Sequence, residues 1–270
     1  MRIARVFPTR TSMTPIDADA YVGLPDLFTP QYDEVHISVT FTWDLKKVKE
    51  LEYAWSKYGC VVVGGVALDD CGGIFCPGKY VKHGVTITSR GCPNKCGFCF
   101  VPKREGRLRI LPIVEGNIIQ DNNLTACPRN HIDNVFDMLA KQSRIVFQGG
   151  VESARVDDYF VGKLRSIRLK EVWMAYDHDN ADKPLERAVG KLSKYFKRDK
   201  LRCYVLIGYK DDTIEKADVR LRKAWEIGVL PFAMLYRDEQ NTPHSKEWRK
   251  FQREWARPAI MRSKMKGDKI

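Results

Sequence analysis

Three cysteines, Cys92, Cys96 and Cys99, fall within eight residues of the stretch TSRGCPNKCGFCFVPKREG (88–106), with the spacing C-x3-C-x2-C. Closely spaced thiols in a reducing compartment are more often metal ligands or catalytic groups than halves of a disulfide. Tetrahedral zinc takes a fourth ligand, usually from a second C-x2-C or H-x3-H pair, and none lies nearby in the sequence. Three thiolates suit a 4Fe–4S cluster, which leaves one iron open to an exogenous ligand. Lys103, Arg104, Arg107 and Arg109 stand beside the motif, where they could steer an anionic substrate or pair with Glu105 and Glu115.

Such a loop needs a scaffold, and 270 residues with 44% hydrophobic side chains can bury a sizeable core. No apolar run approaches the length of a membrane helix and no leader pattern opens the chain, so a soluble, cytoplasmic protein is expected. Residues 1–80 read as a small α/β unit, with strand-like runs at 2–8, 33–41 and 60–68 and a helical period between the last two, carried by Leu45, Val48, Leu51 and Trp55. Strand, helix, strand implies a parallel pair. From 81 to 240 the pattern repeats: strands are expected at 85–89, 117–120, 144–148, 171–177, 201–209 and 230–237, with helices between most of them. Asp212 and Glu215 mark the start of the last of these helices and Gly228 its end. The expected fold is α/β, a partial (β/α)6 barrel whose chemistry sits at the C-terminal ends of its strands. The helix between Phe100 and Glu115 is not legible.

The motif C-x3-C-x-aromatic-C, with Phe98 as the aromatic, directly follows the first barrel strand and resembles that of the radical S-adenosylmethionine superfamily. The resemblance extends over residues 85–237. A shorter likeness, over 88–106, is to radical methylthiotransferases of tRNA and ribosomal protein, and is carried by Gly91, Cys92, Cys96, Phe98, Cys99, Val101, Pro102 and Arg104. Membership implies that the open iron chelates S-adenosylmethionine and that the reduced cluster, fed by a donor such as flavodoxin or ferredoxin, cleaves it to a 5′-deoxyadenosyl radical. It also implies cofactor-binding positions. The polar motif closing the second strand, which holds the methionine amino group, falls on Asp121 and Asn122, with Gly149, Gly150 and Glu152 after the third strand as the rival. Tyr176 and Asp177 correspond to the ribose position, Ile207 and Gly208 to the adenine-flanking strand, Phe98 to a backbone contact with the adenine edge, and Leu235 to its apolar side.

Cys60, Cys71, Cys76 and Cys127 do not have the spacing of a methylthiotransferase auxiliary cluster, and Cys60 opens a strand where a lone thiol reads as a small hydrophobe. The N-terminal unit resembles a reduced cobalamin-binding domain but lacks D-x-H-x-x-G. Residues 241–270 read as a basic helical tail in which Trp248, Phe251 and Trp255 share one face, more consistent with packing than with base stacking, and Lys246, Arg249, Lys250 and Arg253 form a solvated one. The net charge of +12 points to an anionic partner, such as RNA or a nucleotide. The alternatives are a radical enzyme acting on a peptide or small metabolite, and an iron–sulfur redox sensor that binds nucleic acid.

Overall fold

The computed structural model describes residues 1–70, 75–178 and 181–267. It contains two parallel sheets, each with its own apolar core. The first consists of β1 (Ile3–Phe7), β2 (Ala20–Val22), β3 (Glu34–Ser38) and β4 (Cys60–Gly64), in the order β2-β1-β3-β4. Ala4, Val6, Val35 and Ile37 alternate into a cluster with Leu51 and Trp55 of α1 (Val48–Trp55). As expected, β3 and β4 are joined through this helix and pair in parallel. The α-helical period does not begin at Leu45, because Thr42–Lys47 winds first as a 3-10 turn. Cys60 departs from the expectation of a buried thiol. It opens the edge strand β4 and is exposed.

The second sheet opens with β5 (Val85–Thr86), which is followed by a two-residue ladder between β6 (Ser89–Arg90) and β7 (Arg109–Ile110) that brackets the short helix α2 (Val101–Arg104). The sheet continues with β8 (Ile118–Ile119), β9 (Ile145–Val151), β10 (Leu169–Tyr176), β11 (Leu201–Ile207) and β12 (Leu230–Leu235). Its six strands run parallel in sequence order, β5-β8-β9-β10-β11-β12. All six fall within the runs expected from the sequence or within three residues of them, β9 running on to Val151. Parallel neighbours need crossovers. Helices α3 (Arg129–Ala140), α4 (Asp158–Arg165), α5 (Asp182–Leu192) and α6 (Ile214–Ile227) supply them after β8, β9, β10 and β11.

Every second strand residue, including Ile119, Phe147, Met174, Cys203 and Val205, joins the apolar side chains of these helices in one continuous core. Phe147 lies 5.7 Å from the ring of Phe136, and both rings meet Phe160 edge-on. Intervening residues such as Trp173 and Tyr204 take the other face and stack at 4.5 Å. The start of α6 is displaced by one residue from the expected cap. Thr213 caps it by accepting from the Lys216 N–H, while Asp212 accepts from the Gly208 N–H and pairs with Arg220. Gly228 ends the helix at φ 115°. The C-terminal residues form α7 (Lys246–Ala256) and α8 (Pro258–Gly267), and Phe251, Trp255 and Met261 join the main core.

Phe147→Ala is expected to lower unfolding free energy by about 3–5 kcal/mol, the cost of a large cavity in a close-packed core. Val219→Ala, on the exposed side of α6, is expected to change it by less than about 0.5 kcal/mol. Denaturant titration of the two variants measures the difference.

Candidate metal centre

The three cysteines lie in the loop between β6 and β7, directly beyond the C-terminal end of β5. The loop is closed at its base three times: by the β6–β7 pairing, by the Cys92 N–H to the Gly106 carbonyl at 3.3 Å, and by the Leu111 N–H to the Thr88 carbonyl at 2.9 Å. Gly91 makes the turn into it at φ 77°, and a Cβ there would stand 2.2 Å from the Arg107 carbonyl oxygen. Only glycine fits so close a backbone approach. Arg90 pairs with the buried Glu105 at 3.0 Å across the loop.

Asp121 secures the strand that leads into the loop. Its carboxylate is 1% exposed and accepts from the Thr88 N–H, the Thr88 hydroxyl and the Ser89 hydroxyl, each at 2.7 Å. Thr88 gives its proton to Asp121, so His131 Nε2, 3.1 Å from the same oxygen, must be the donor to Thr88. Burial pushes the Asp121 carboxyl up and the His131 imidazole down, although the hydrogen bonds to Asp121 oppose its shift. The Asn122 side-chain oxygen accepts from the Gly91 N–H at 2.9 Å. The sequence put Asp121 and Asn122 against the cofactor; the structure uses both to hold the backbone of the loop.

Asn123, one residue beyond Asn122, and Glu152, directly after β9, face the thiols. The Asn123 amide donates to Cys92 Sγ at 3.5 Å and to Glu152 Oε2 at 2.8 Å, and Arg155 donates to the same oxygen at 2.8 Å. Burial works against the Glu152 carboxylate, but the hydrogen bonds from Asn123, Arg155 and Asn94 outweigh it and hold its pKa below the usual range. Asn94 lies between Cys92 and Cys96, so Glu152 ties the end of β9 to the cysteine loop. A bulge produces this approach. Between Phe147 and Val151 the β9 chain spends extra residues against β10, Gly150 turns at φ 97°, and a Cβ on Gly149 would stand 2.1 Å from the Asp121 carbonyl oxygen.

The end of β10 separates its two candidates. Tyr176 is 4% exposed and belongs to the helix-side core, whereas Asp177 is half-buried and lies close enough to Cys96 and Cys99 to raise both thiols. Burial pushes Asp177 up to about 6. Burial is also the first cause of the raised Cys96 and Cys99 values, followed for Cys96 by its neighbour Cys99. Ile207 is fully buried in the core, so it offers backbone only. Gly208, at φ 70°, leaves room for Leu235 and His244, whose atoms would lie 2.8 Å and 3.3 Å from a Cβ at that position. Phe98 meets the Tyr209 ring edge-on at 6.0 Å, and Tyr209 meets Tyr236 at 4.8 Å.

Among the described residues no three His, Cys, Asp or Glu side chains converge on a common point. Cubane ligands each bind a different iron and stand farther apart than ligands sharing one ion. Burial, and after it the neighbouring thiols, raise Cys96 and Cys99, so thiolates at these two positions need a strong positive charge beside them. The remaining cysteines stand in dissimilar settings: Cys60 and Cys76 are exposed, Cys127 and Cys203 are buried, and Cys71 lies outside the described residues. Of the cations beside the motif, Lys103 pairs with Glu239 at 2.7 Å, Arg109 donates to the Glu105 carbonyl, Arg104 covers the Phe100 ring, and Arg107 is exposed. Nothing local in the chain singles out Asn123, whose partner Glu152 is 29 residues away.

A carboxyl with a folded pKa near 6 and an ordinary value of 3.8 binds more protons in the folded state between those limits. Its contribution to stability is therefore present below pH 3.8 and lost as pH rises to about 6. In the iron-free chain Asp177→Asn should raise stability by about 1–2 kcal/mol at pH 7.5 and have little effect at pH 4. Urea titrations at the two pH values test this. No model of a known protein family matches the chain, and neither does any curated protein.

Proposed function

We propose that the chain is a radical S-adenosylmethionine enzyme holding a 4Fe–4S cluster on Cys92, Cys96 and Cys99 and modifying a nucleic acid or nucleotide. One observation carries the reading: three thiols sit in a pinned loop at the C-terminal end of the first of six sequential parallel strands, facing carboxylates from the third and fourth. The six strands are read as a partial (β/α)6 barrel, in which that end is the reacting end. The net charge of +12 supports an anionic substrate. A cytoplasmic setting, with flavodoxin or ferredoxin as electron donor, completes the reading.

When bound, the cluster would supply one electron to the sulfonium of S-adenosylmethionine, which breaks to methionine and a 5′-deoxyadenosyl radical that takes a hydrogen atom from the substrate. The chain's own residues bind and orient. Glu152 is ionised and lies beside the thiol loop, so it is the carboxylate suited to the methionine ammonium group. Asp121, with its carboxylate enclosed behind the loop, acts through the backbone. Asp177 can accept from vicinal ribose hydroxyls, and the backbone at Phe98 and Gly208 can border the adenine edge. The Asn123 N–H directed at Cys92 Sγ would stabilise charge on that sulfur.

Anaerobic reconstitution should give about four irons per chain and reductive formation of 5′-deoxyadenosine, and Cys96→Ala should remove both. A colourless chain that retains only zinc would overturn the proposal. The two carboxylates separate by what they disturb. Glu152→Gln should weaken S-adenosylmethionine binding about 10- to 100-fold, the worth of a charge-assisted hydrogen bond, while iron loading is retained. Asp121→Ala should lower iron loading and thermal stability first. Equal iron content in Asp121→Ala with a larger loss of cofactor affinity than in Glu152→Gln would reverse the assignment.

A further inference from the structure

Helix α7 carries two faces of opposite character. Trp248, Phe251, Gln252 and Trp255 turn toward β12 and α6: Phe251 and Trp255 are buried, the Gln252 amide reaches the Ala233 carbonyl, and the Trp255 N–H reaches Asp218. On the opposite side, Lys246, Arg249, Lys250 and Arg253, followed by Arg257 just past the helix end, are all exposed. At 1.5 Å per residue these five cations make a line about 16 Å long. Among the described residues none of the five has a carboxylate within ion-pairing distance. Of the two acids on the helix, Glu254 is paired with Lys264, and Glu247 pairs with none of the five among the described residues. Like charges spaced three and four residues apart repel one another and weaken a helix. A polyanion lying along the stripe would remove that repulsion.

The segment leading into the stripe lies beside the end of β11. His244, two residues before α7, bonds the Tyr236 carbonyl at 2.6 Å and lies beside Gly208 at the end of β11. From there, half-buried rings run inward: Tyr236 to Tyr209 at 4.8 Å, and Tyr209 to Phe98 at 6.0 Å. Lys210 lies over the Tyr209 ring and Arg237 is exposed after Tyr236. Cations in line with aromatic rings that end at a reactive loop are what a single strand of nucleic acid needs: phosphates bind the cations and an unpaired base stacks on a ring. An acidic protein would use the cations but not the rings.

We infer that α7 and the Tyr209–Tyr236 pair form the binding face for an RNA strand, with phosphates along Lys246–Arg253 and an unpaired nucleotide at Tyr209 beside the cysteine loop. The inference rests on the reading of that loop as the reacting site and names its substrate class.

The test is fluorescence anisotropy of a labelled RNA stem-loop titrated with the full chain at several potassium chloride concentrations, with iron content measured on the same samples. Affinity should fall steeply with salt. The combined variant Arg249→Gln, Lys250→Gln, Arg253→Gln should flatten the log–log slope by about 2, at about 0.7 per phosphate contact. Tyr209→Ala should cost about tenfold in affinity with the slope unchanged. Iron uptake and substrate-free formation of 5′-deoxyadenosine should be normal in the combined variant, because the stripe touches no cluster ligand. An unchanged slope in the combined variant overturns the inference. So does an acidic polypeptide, polyglutamate, that binds as tightly as the RNA and ignores Tyr209→Ala. A chain that binds RNA in this way but takes up no cluster would leave the RNA face standing and remove the radical-enzyme reading. A chain that takes up the cluster but is indifferent to RNA would do the reverse.

Discussion

The cysteine loop depends on a carboxylate that never reaches it. Asp121 gathers three donors from Thr88 and Ser89, the residues where β5 gives way to the loop. β5 contributes only two residues to the sheet ladder, too few to fix the direction of the chain beyond it. Charge-assisted hydrogen bonds in a site almost closed to water do what the missing ladder cannot. The cost is a desolvated charge, visible as the raised carboxyl pKa, and the arrangement persists because every neighbouring donor is aimed at it.

From that anchor the centre is assembled by close approach of main chains. Gly91 lets the loop press on Arg107, and Gly149 lets β9 press on Asp121. The second contact sets the bulge that brings Glu152 round to Asn123 and Asn94. Two carboxylates of different character result. Burial opposes the Glu152 carboxylate but its donors outweigh it and lower its pKa, whereas burial pushes Asp177 up to about 6. As pH falls, Asp177 therefore takes up a proton before Glu152 does.

Much of this was legible in the sequence, for identifiable reasons. The six strands of the main sheet are apolar runs separated by long helical periods, and the crossovers between parallel strands leave little freedom of order. The thiol motif is local, so spacing alone exposed it. Three features were not legible. β2 has three residues, too few for alternation to register. The β6–β7 ladder is shorter still, two residues a side, and lies within a loop rich in charge. The sorting of Asp121, Asn122, Asn123 and Glu152 into loop-holding and thiol-facing roles depends on side-chain direction at strand ends, where a one-residue shift reverses the face. Tyr176 and Asp177 illustrate the same point, since adjacent residues point to opposite sides of the sheet.

Glu239 connects parts of the chain that are far apart in sequence. Its carboxylate holds Lys103 on the cysteine loop, its carbonyl receives the Thr42 hydroxyl from the first α/β unit, and Arg237 nearby covers the Trp43 ring. Thr42 and Glu239 are separated by 197 positions. Contacts of such separation form late, because the intervening loop must close before they contribute. During synthesis the N-terminal unit can bury its own core as soon as β4 emerges, but this anchor to the cysteine loop does not exist until the last strand has been made. A ribosome-bound chain ending short of residue 239 would carry a folded N-terminal unit and a cysteine loop that this clasp does not yet join, which makes the final segment the step that adds it.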